Sequence, residues 1–189
     1  MTQRHIAIAT VLLAAVVLGL VLFVGLPRLK RRTPARAVAA APTASASQGR
    51  KIKAHLFYVA EDGAHLTSVE RDIAYGETAG DQAREIITAQ IAPVPAPIVS
   101  AVPAGTTLRA VFIADGGTAY VDLSREVASA HPGGTIDELL TVYTIVDALT
   151  VNLPAITSVQ VLVDGKEVDT LAGHVDLRRP LIRNLGWVQ

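Results

Sequence analysis

The chain has 189 residues and contains no cysteine, one methionine, one tryptophan and seven other aromatic residues. Without cysteine it forms no disulfide, carries no lipid on an N-terminal cysteine and offers no thiolate to a metal. The scarcity of aromatic side chains means that valine, isoleucine, leucine and alanine must supply most of the core. The absence of cysteine does not identify a compartment, because it removes disulfides without favouring either side of a membrane.

Acidic residues are absent before Glu61, whereas six of the 17 basic residues lie within the first 36 positions. The remaining 11 basic residues stand against 17 acidic ones, so residues 50–189 have a net charge of −6. An acidic domain is a poor partner for a phosphate backbone, which argues against nucleic-acid binding. The early basic residues predict a topology signal and an anchor at lipid headgroups. They are Arg4, Arg28, Lys30, Arg31, Arg32 and Arg36.

Long apolar runs are also rare, and the single one occupies residues 6–26 after a short tail, residues 1–5. As a helix these 21 residues would extend roughly 30 Å, the thickness of the hydrocarbon layer. We predict a single transmembrane helix or signal anchor here. A cleaved signal peptide is the alternative, because alanine-rich sequence follows, although such peptides have a shorter apolar core of about 7–15 residues. The basic residues after the span favour a cytoplasmic domain by the positive-inside rule.

A basic flank and a linker of alanine, proline, serine and threonine, residues 27–49, separate this run from a domain at 50–189. The domain shows the order ββ-α-ββ-α-ββ, in which alternating apolar and polar residues predict strands and apolar residues three and four apart predict helices. The order favours an α+β fold with a mixed, largely antiparallel sheet and two helices packed on one face. We predict strands at 51–60, 66–73, 107–114, 118–123, 156–163 and 167–171, and helices at 78–92 and 135–152. Asp164-Gly165 predicts a two-residue hairpin turn of type I′ between the last two strands.

The domain sequence contains no recognisable catalytic or metal-binding constellation. No two of His55, His65, His131 and His174 have the i, i+4 spacing of a helical metal site. Neither Ser100 nor Ser124 lies in a G-x-S-x-G elbow, so neither is a candidate nucleophile. We therefore assign no catalytic, cofactor-binding or metal-binding residue, predict no cofactor, and expect the domain not to be an enzyme.

Acidic and glycine residues near the second helix have structural interpretations. Asp137 and Glu138 could form a catalytic pair, but a capping box between Thr135 and Glu138 explains them, as acids favour the first turn. Gly133-Gly134 lacks the remainder of a phosphate-binding loop and is expected to form a turn. Asp147, Thr144 and Thr150 lie beside the apolar stripe, where we expect them to bond nearby backbone or a strand end.

Four short motifs occur in one order along the domain. They are Ala101–Leu108 (AVPAGTTL), Asp115-Gly116 with Ala119–Ser124 (AYVDLS), Thr144–Thr150 (TIVDALT) and Val159–Gly165 (VQVLVDG). In this order and spacing they resemble the GerMN domain of sporulation and spore-germination proteins over about residues 52–176. One position departs from the family, which has asparagine where this chain has Asp147.

The resemblance implies a compact α+β module that is attached to a membrane, faces outside the cytoplasm and binds or assembles with other molecules. It carries over no catalytic residues. It also opposes the charge count on orientation, and we expect the domain to be extracytoplasmic, since the positive-inside rule is a bias. The expected partners are an envelope protein or peptidoglycan, with a homo-oligomer possible. The alternative function is an extracytoplasmic hydrolase or other enzyme whose site the sequence does not reveal.

Overall fold

The computed structural model describes residues 49–189, and the predicted span at 6–26 and most of the linker lie outside the described residues. In the described part, no helix combines the length and apolar character needed to cross a membrane. The predicted fold class is confirmed: the domain is a mixed α+β structure with largely antiparallel strands. Its elements in chain order are β1 (Lys51–Val59), β2 (Leu66–Ala74), α1 (Ala79–Ile91), β3 (Leu108–Ile113), β4 (Thr118–Leu123), α2 (Glu126–Ser129), α3 (Thr135–Asn152), β5 (Ser158–Val163), β6 (Lys166–Glu167), β7 (Leu181–Ile182) and a 3₁₀ turn at Leu185–Trp187.

The strands divide into two sheets. The hairpin β1–β2 forms a two-stranded sheet, while the second sheet has the order β3-β4-β5-β6 with β7 also paired to β5. All pairs are antiparallel except β4–β5, which the crossover through α3 makes parallel. The helices α1 and α3 contact each other and strands of both sheets, so the two sheets share one apolar core.

The two predicted helices begin in different ways. At α1, Thr78 accepts a hydrogen bond from the Asp81 amide, and the Asp81 carboxylate bonds back to Thr78 in a capping box. At α3 the predicted capping box between Thr135 and Glu138 is wrong. The N-cap is Gly134, with a φ of 91° that glycine tolerates, and no side chain caps this helix. Glu138 is absent from the cap because its side chain is buried in the interior.

The predicted turn between β5 and β6 is confirmed. Asp164 and Gly165 have φ angles of 50° and 75°, so both central residues adopt the positive φ that a type I′ turn requires. The strand predicted at 167–171 is too long, since β6 ends at Glu167. The chain then leaves the sheet, and the segment beyond it contacts Glu138 instead of extending the hairpin.

Candidate functional site

The four histidines predicted to be structural lie in separate environments. His55 lies 3.2 Å from the Ser68 hydroxyl, and His65 pairs with Asp62 at 2.6 Å. His131 accepts from the Gly133 amide at Nδ1, so its Nε2 carries the proton and donates to Thr141 at 3.1 Å. Among residues 49–189 there is no group of three or more potential metal ligands.

Both serines weighed as nucleophiles stabilise loops. The Ser124 hydroxyl accepts a hydrogen bond from the Thr107 amide at 3.0 Å, and the Ser100 hydroxyl accepts one from the Val102 amide at 3.1 Å. Neither serine has a hydrogen bond to a histidine in the described part of the chain. Neither serine therefore belongs to a serine–histidine pair of the kind that activates a nucleophile.

Glu138 is a buried carboxylate that organises the segment after β6. Its two oxygens accept from the Leu171 amide at 2.7 Å and from the His174 amide at 2.8 Å, and the His174 ring lies 3.2 Å away. Burial alone would raise the pKa of Glu138, but the surrounding backbone amides outweigh it and hold the pKa below its ordinary value. The ionised side chain therefore has a structural role: it anchors residues 171–174 to the start of α3.

Asp147 is another buried carboxyl group, and one of its oxygens is bonded to remote backbone beyond β7, a strand that the sequence did not predict. Its Oδ1 accepts from the Asn184 amide, two residues after β7, at 3.0 Å. Its Oδ2 has no partner among the described residues, and neither has the buried Thr144 hydroxyl. Burial raises the pKa of Asp147 to about 6, although the Asn184 amide and Arg183 oppose the rise. Thr150 bonds the Val146 carbonyl within the helix.

A concave cleft of about 480 Å³ lies beside the start of α3. It is lined by the loop from Val99 to Ala104 and by Val59, Pro132, Asp137 and Thr141. The Thr141 hydroxyl donates to the Ala101 carbonyl at 2.6 Å and thereby joins the loop to α3. Apolar groups dominate the lining, and Val99, one of the lining residues, is 56% exposed.

Neither buried carboxyl group with a shifted pKa lines this cleft, nor do they line the smaller hollows of about 400 Å³ and 350 Å³. One hollow lies between Pro154 and Ile182, and the other lies behind the 99–104 loop. Enzyme sites bring perturbed titratable groups together inside a pocket. The lining of the cleft is instead mainly apolar.

The described part thus defines a small α+β domain with an apolar cleft, in which the buried carboxyl groups of Glu138 and Asp147 accept hydrogen bonds from backbone amides. Residues 55–169, more than half of the chain, match the family "Germane: Sporulation and spore germination". The chain belongs to this family, in agreement with the resemblance of its motifs.

Solved structures share the fold at low identity. The first GerMN domain of the sporulation protein GerM from Bacillus subtilis has a TM-score of 0.54 and 21% identity, over 70% of this chain and 98% of that one. The tandem GerMN domains of the same protein have a TM-score of 0.55 and 21% identity over 70% of this chain. This chain spans 46% of that tandem structure. A candidate lipoprotein from Clostridium perfringens has a TM-score of 0.50 and 24% identity, over 70% of this chain and 87% of that one. No curated protein matches the chain.

Proposed function

We propose that this protein is a non-enzymatic, membrane-anchored module that binds an envelope protein through the cleft between the 99–104 loop and the start of α3. The apolar lining of this cleft is the observation that carries the proposal. An extended peptide segment with one or two apolar side chains fits a groove of this kind, since apolar burial supplies affinity and a polar rim supplies orientation.

Charge favours a protein over a polyanionic cell-wall polymer as the partner. Residues 50–189 have a net charge of −6, so a phosphate-rich polymer would be repelled from most of the surface. Asp137 adds a carboxylate at the cleft wall, where it would select for a basic residue in the bound segment. We therefore expect the ligand to be a peptide segment that combines an apolar side chain with a lysine or arginine.

The membrane anchor is proposed from the apolar run at residues 6–26. One structural neighbour, the candidate lipoprotein from Clostridium perfringens, supports the proposal, since a lipoprotein is associated with a membrane. A reporter active only outside the cytoplasm, fused after Gln189, is expected to be active, and a reporter active only inside is expected to be silent. The reverse pattern would reject the extracytoplasmic placement and support the charge count.

Binding through the cleft is tested with two variants of the full chain that add the same charge. Ala104→Arg places a long side chain in the cleft wall, whereas Ala74→Arg places it at the exposed end of β2, away from the three concave surfaces. Affinity capture from detergent-solubilised membranes is expected to retain one envelope protein with the wild type and with A74R, and to lose it with A104R. Equal capture by all three proteins would reject the cleft as the binding site.

A further inference from the structure

Residues 181–189, which we call the strap, are held on the domain without a buried side chain. The strap comprises β7, the 3₁₀ turn and the residues around them, and all of its side chains are exposed or half-buried. At one end β7 pairs with β5, and at the other end Val188 and the Gln189 amide contact Leu66. Segments with few buried apolar contacts are those that open locally, without unfolding of the whole domain.

Between its two ends the strap lies against a buried carboxyl group on α3. The Asn184 amide donates to Asp147 Oδ1 at 3.0 Å, and this is the one hydrogen bond of that side chain within residues 49–189. The other Asp147 oxygen and the Thr144 hydroxyl are fully buried and have no partner among the described residues. Residues three apart share a face of a helix, so both unpartnered oxygens add to the free energy that covering this face costs.

Covering Asp147 costs more free energy when the group is ionised than when it is neutral. A carboxylate loses much more hydration free energy on burial than a neutral carboxyl group does. Burial accordingly raises the pKa of Asp147 to about 6, against the opposing effects of the Asn184 amide and Arg183. Lifting the strap admits water to both oxygens and removes this cost, so ionisation of Asp147 favours the lifted state.

The titratable groups around Asp147 leave its burial as the dominant influence. Apart from the strap, α3 packs mainly against β1, α1 and β5. The strap contributes Arg183, whose positive charge attracts the carboxylate, whereas β5 contributes no titratable residue. On β1, burial raises the pKa of Tyr58, so its phenol stays neutral. The other titratable residues of β1 and α1 are exposed or half-buried, and they are Lys51, Lys53, His55, Asp81, Arg84 and Glu85. Those on α3 itself are Asp137, Glu138 and Tyr143.

We propose that the strap and Asp147 form a pH-sensitive device, in which a protonated Asp147 is covered by a closed strap and an ionised Asp147 favours an open one. Opening withdraws β7 from β5 and Val188 from β2, which uncovers the edges of both strands. It also widens the hollow beside Pro154, since Ile182 and Arg183 form part of the lining of that hollow. The inference concerns a surface separate from the cleft and does not rest on the function proposed above.

Linkage gives the sign and the size of the effect. The closed state holds the Asp147 proton with a pKa of about 6, and a hydrated carboxyl group in the open state has the ordinary value of 3.8. The ratio of open to closed molecules is therefore constant below pH 3.8, rises by about tenfold per pH unit between the two values and is constant again above pH 6. The whole rise is on the order of 100-fold.

Hydrogen exchange of the strap amides measures this opening even when few molecules are open. The amides of Asn184 and Gln189 are the probes, because each donates a hydrogen bond from the closed strap to the rest of the domain. Exchange of the full chain in detergent is followed from about pH 4 to pH 8, and each rate is corrected for the intrinsic rate at that pH to give a protection factor. We expect the protection factor of both amides to fall by on the order of 100-fold between pH 4 and pH 7 and then to level off. It is expected to stay below that of the Leu56 amide, at a fully buried position on β1.

Three variants of the full chain test the cause of the fall. Asp147→Asn is neutral at every pH, keeps an oxygen for the Asn184 amide and is expected to abolish the fall. Glu167→Gln removes the same charge from an exposed position on β6 and is expected to leave it unchanged. A variant with both Ser158→Cys and Ile182→Cys, oxidised to a disulfide between directly opposed residues of β5 and β7, is expected to suppress the fall at Asn184. A protection factor that does not change with pH, a fall that persists in Asp147→Asn, or equal protection of the strap and the core would overturn the proposal.

Discussion

Replacing Asp147 with asparagine is expected to stabilise the protein at neutral pH. The carboxyl group is fully buried on α3, and one of its oxygens has no partner among the described residues. Burial raises its pKa from 3.8 to about 6. Since a tenfold change in a dissociation constant is worth about 1.4 kcal/mol, the ionised form costs at most about 3 kcal/mol of folding free energy. Solvent penetration and the nearby Arg183 reduce this, so we expect about 1–3 kcal/mol.

The pH dependence has a defined sign. The folded protein holds the Asp147 proton more tightly than the unfolded chain, so the neutral group contributes full stability below pH 3.8 and loses it as the pH rises through about 6. Asparagine is neutral throughout and keeps an oxygen for the Asn184 amide. The stability difference between Asp147→Asn and wild type is therefore expected to increase between pH 4 and pH 7 and then to level off.

Urea denaturation of both proteins across this pH range measures the difference directly, because the contributions of other titrating groups cancel in the subtraction. Asp147→Leu, which removes the oxygen that Asn184 uses, separates the loss of charge from the loss of the hydrogen bond and is expected to be less stable than Asp147→Asn. A difference that does not change with pH, or an asparagine variant that is less stable at pH 7, would refute the reasoning.

Three other predictions concern stability. Gly165→Val forces a branched side chain into positive φ and is expected to cost about 1–3 kcal/mol, which an unchanged melting temperature would contradict; Lys166→Val is the control. Glu138→Gln is expected to cost about 2–4 kcal/mol at pH 7 by thermal unfolding, because a carboxamide cannot accept at both positions. Because the pKa of Glu138 is lowered in the folded protein, its contribution to stability is present above the unfolded pKa and is lost as the pH falls through the lower folded pKa. Equal acid sensitivity of the wild type and Glu138→Gln would contradict this contribution. Residues 50–189 alone are expected to unfold cooperatively in circular dichroism, and a molten product would reject that domain boundary.

Local signals in the sequence were sufficient for much of the fold. The alternation in β1 and β2, the apolar stripes of α1 and α3, and the turn at Asp164-Gly165 depend on neighbouring residues, and their bounds were predicted to within one or two positions. The division into two sheets was not predicted, because hairpin and helix patterns do not specify which strands pair across the chain. The two-residue β7 was missed, since its pairing to β5 comes from tertiary contact and has no periodic pattern.

The main errors of prediction concerned polar side chains whose hydrogen-bond partners are distant in the sequence. Glu138 fits the spacing of a capping box with Thr135, yet it binds backbone more than 30 residues away. Gln90 and Asn152 occupy helix positions that gave no sign of their contacts with β1. A buried polar residue at the end or on the apolar face of a helix is a usable signal that it binds remote backbone, because burial without a partner is costly.

These long-range contacts also bear on how the domain interacts. The amides of Gln90 and Asn152 occupy backbone groups that would otherwise recruit a further strand to β1, and the carboxylates on β2 repel one. The large apolar side chains that stay exposed in the described part include Val99 at the cleft, Phe112 on β3 and Ile182 on β7, so these positions, and not the covered edge of β1, are open to a partner.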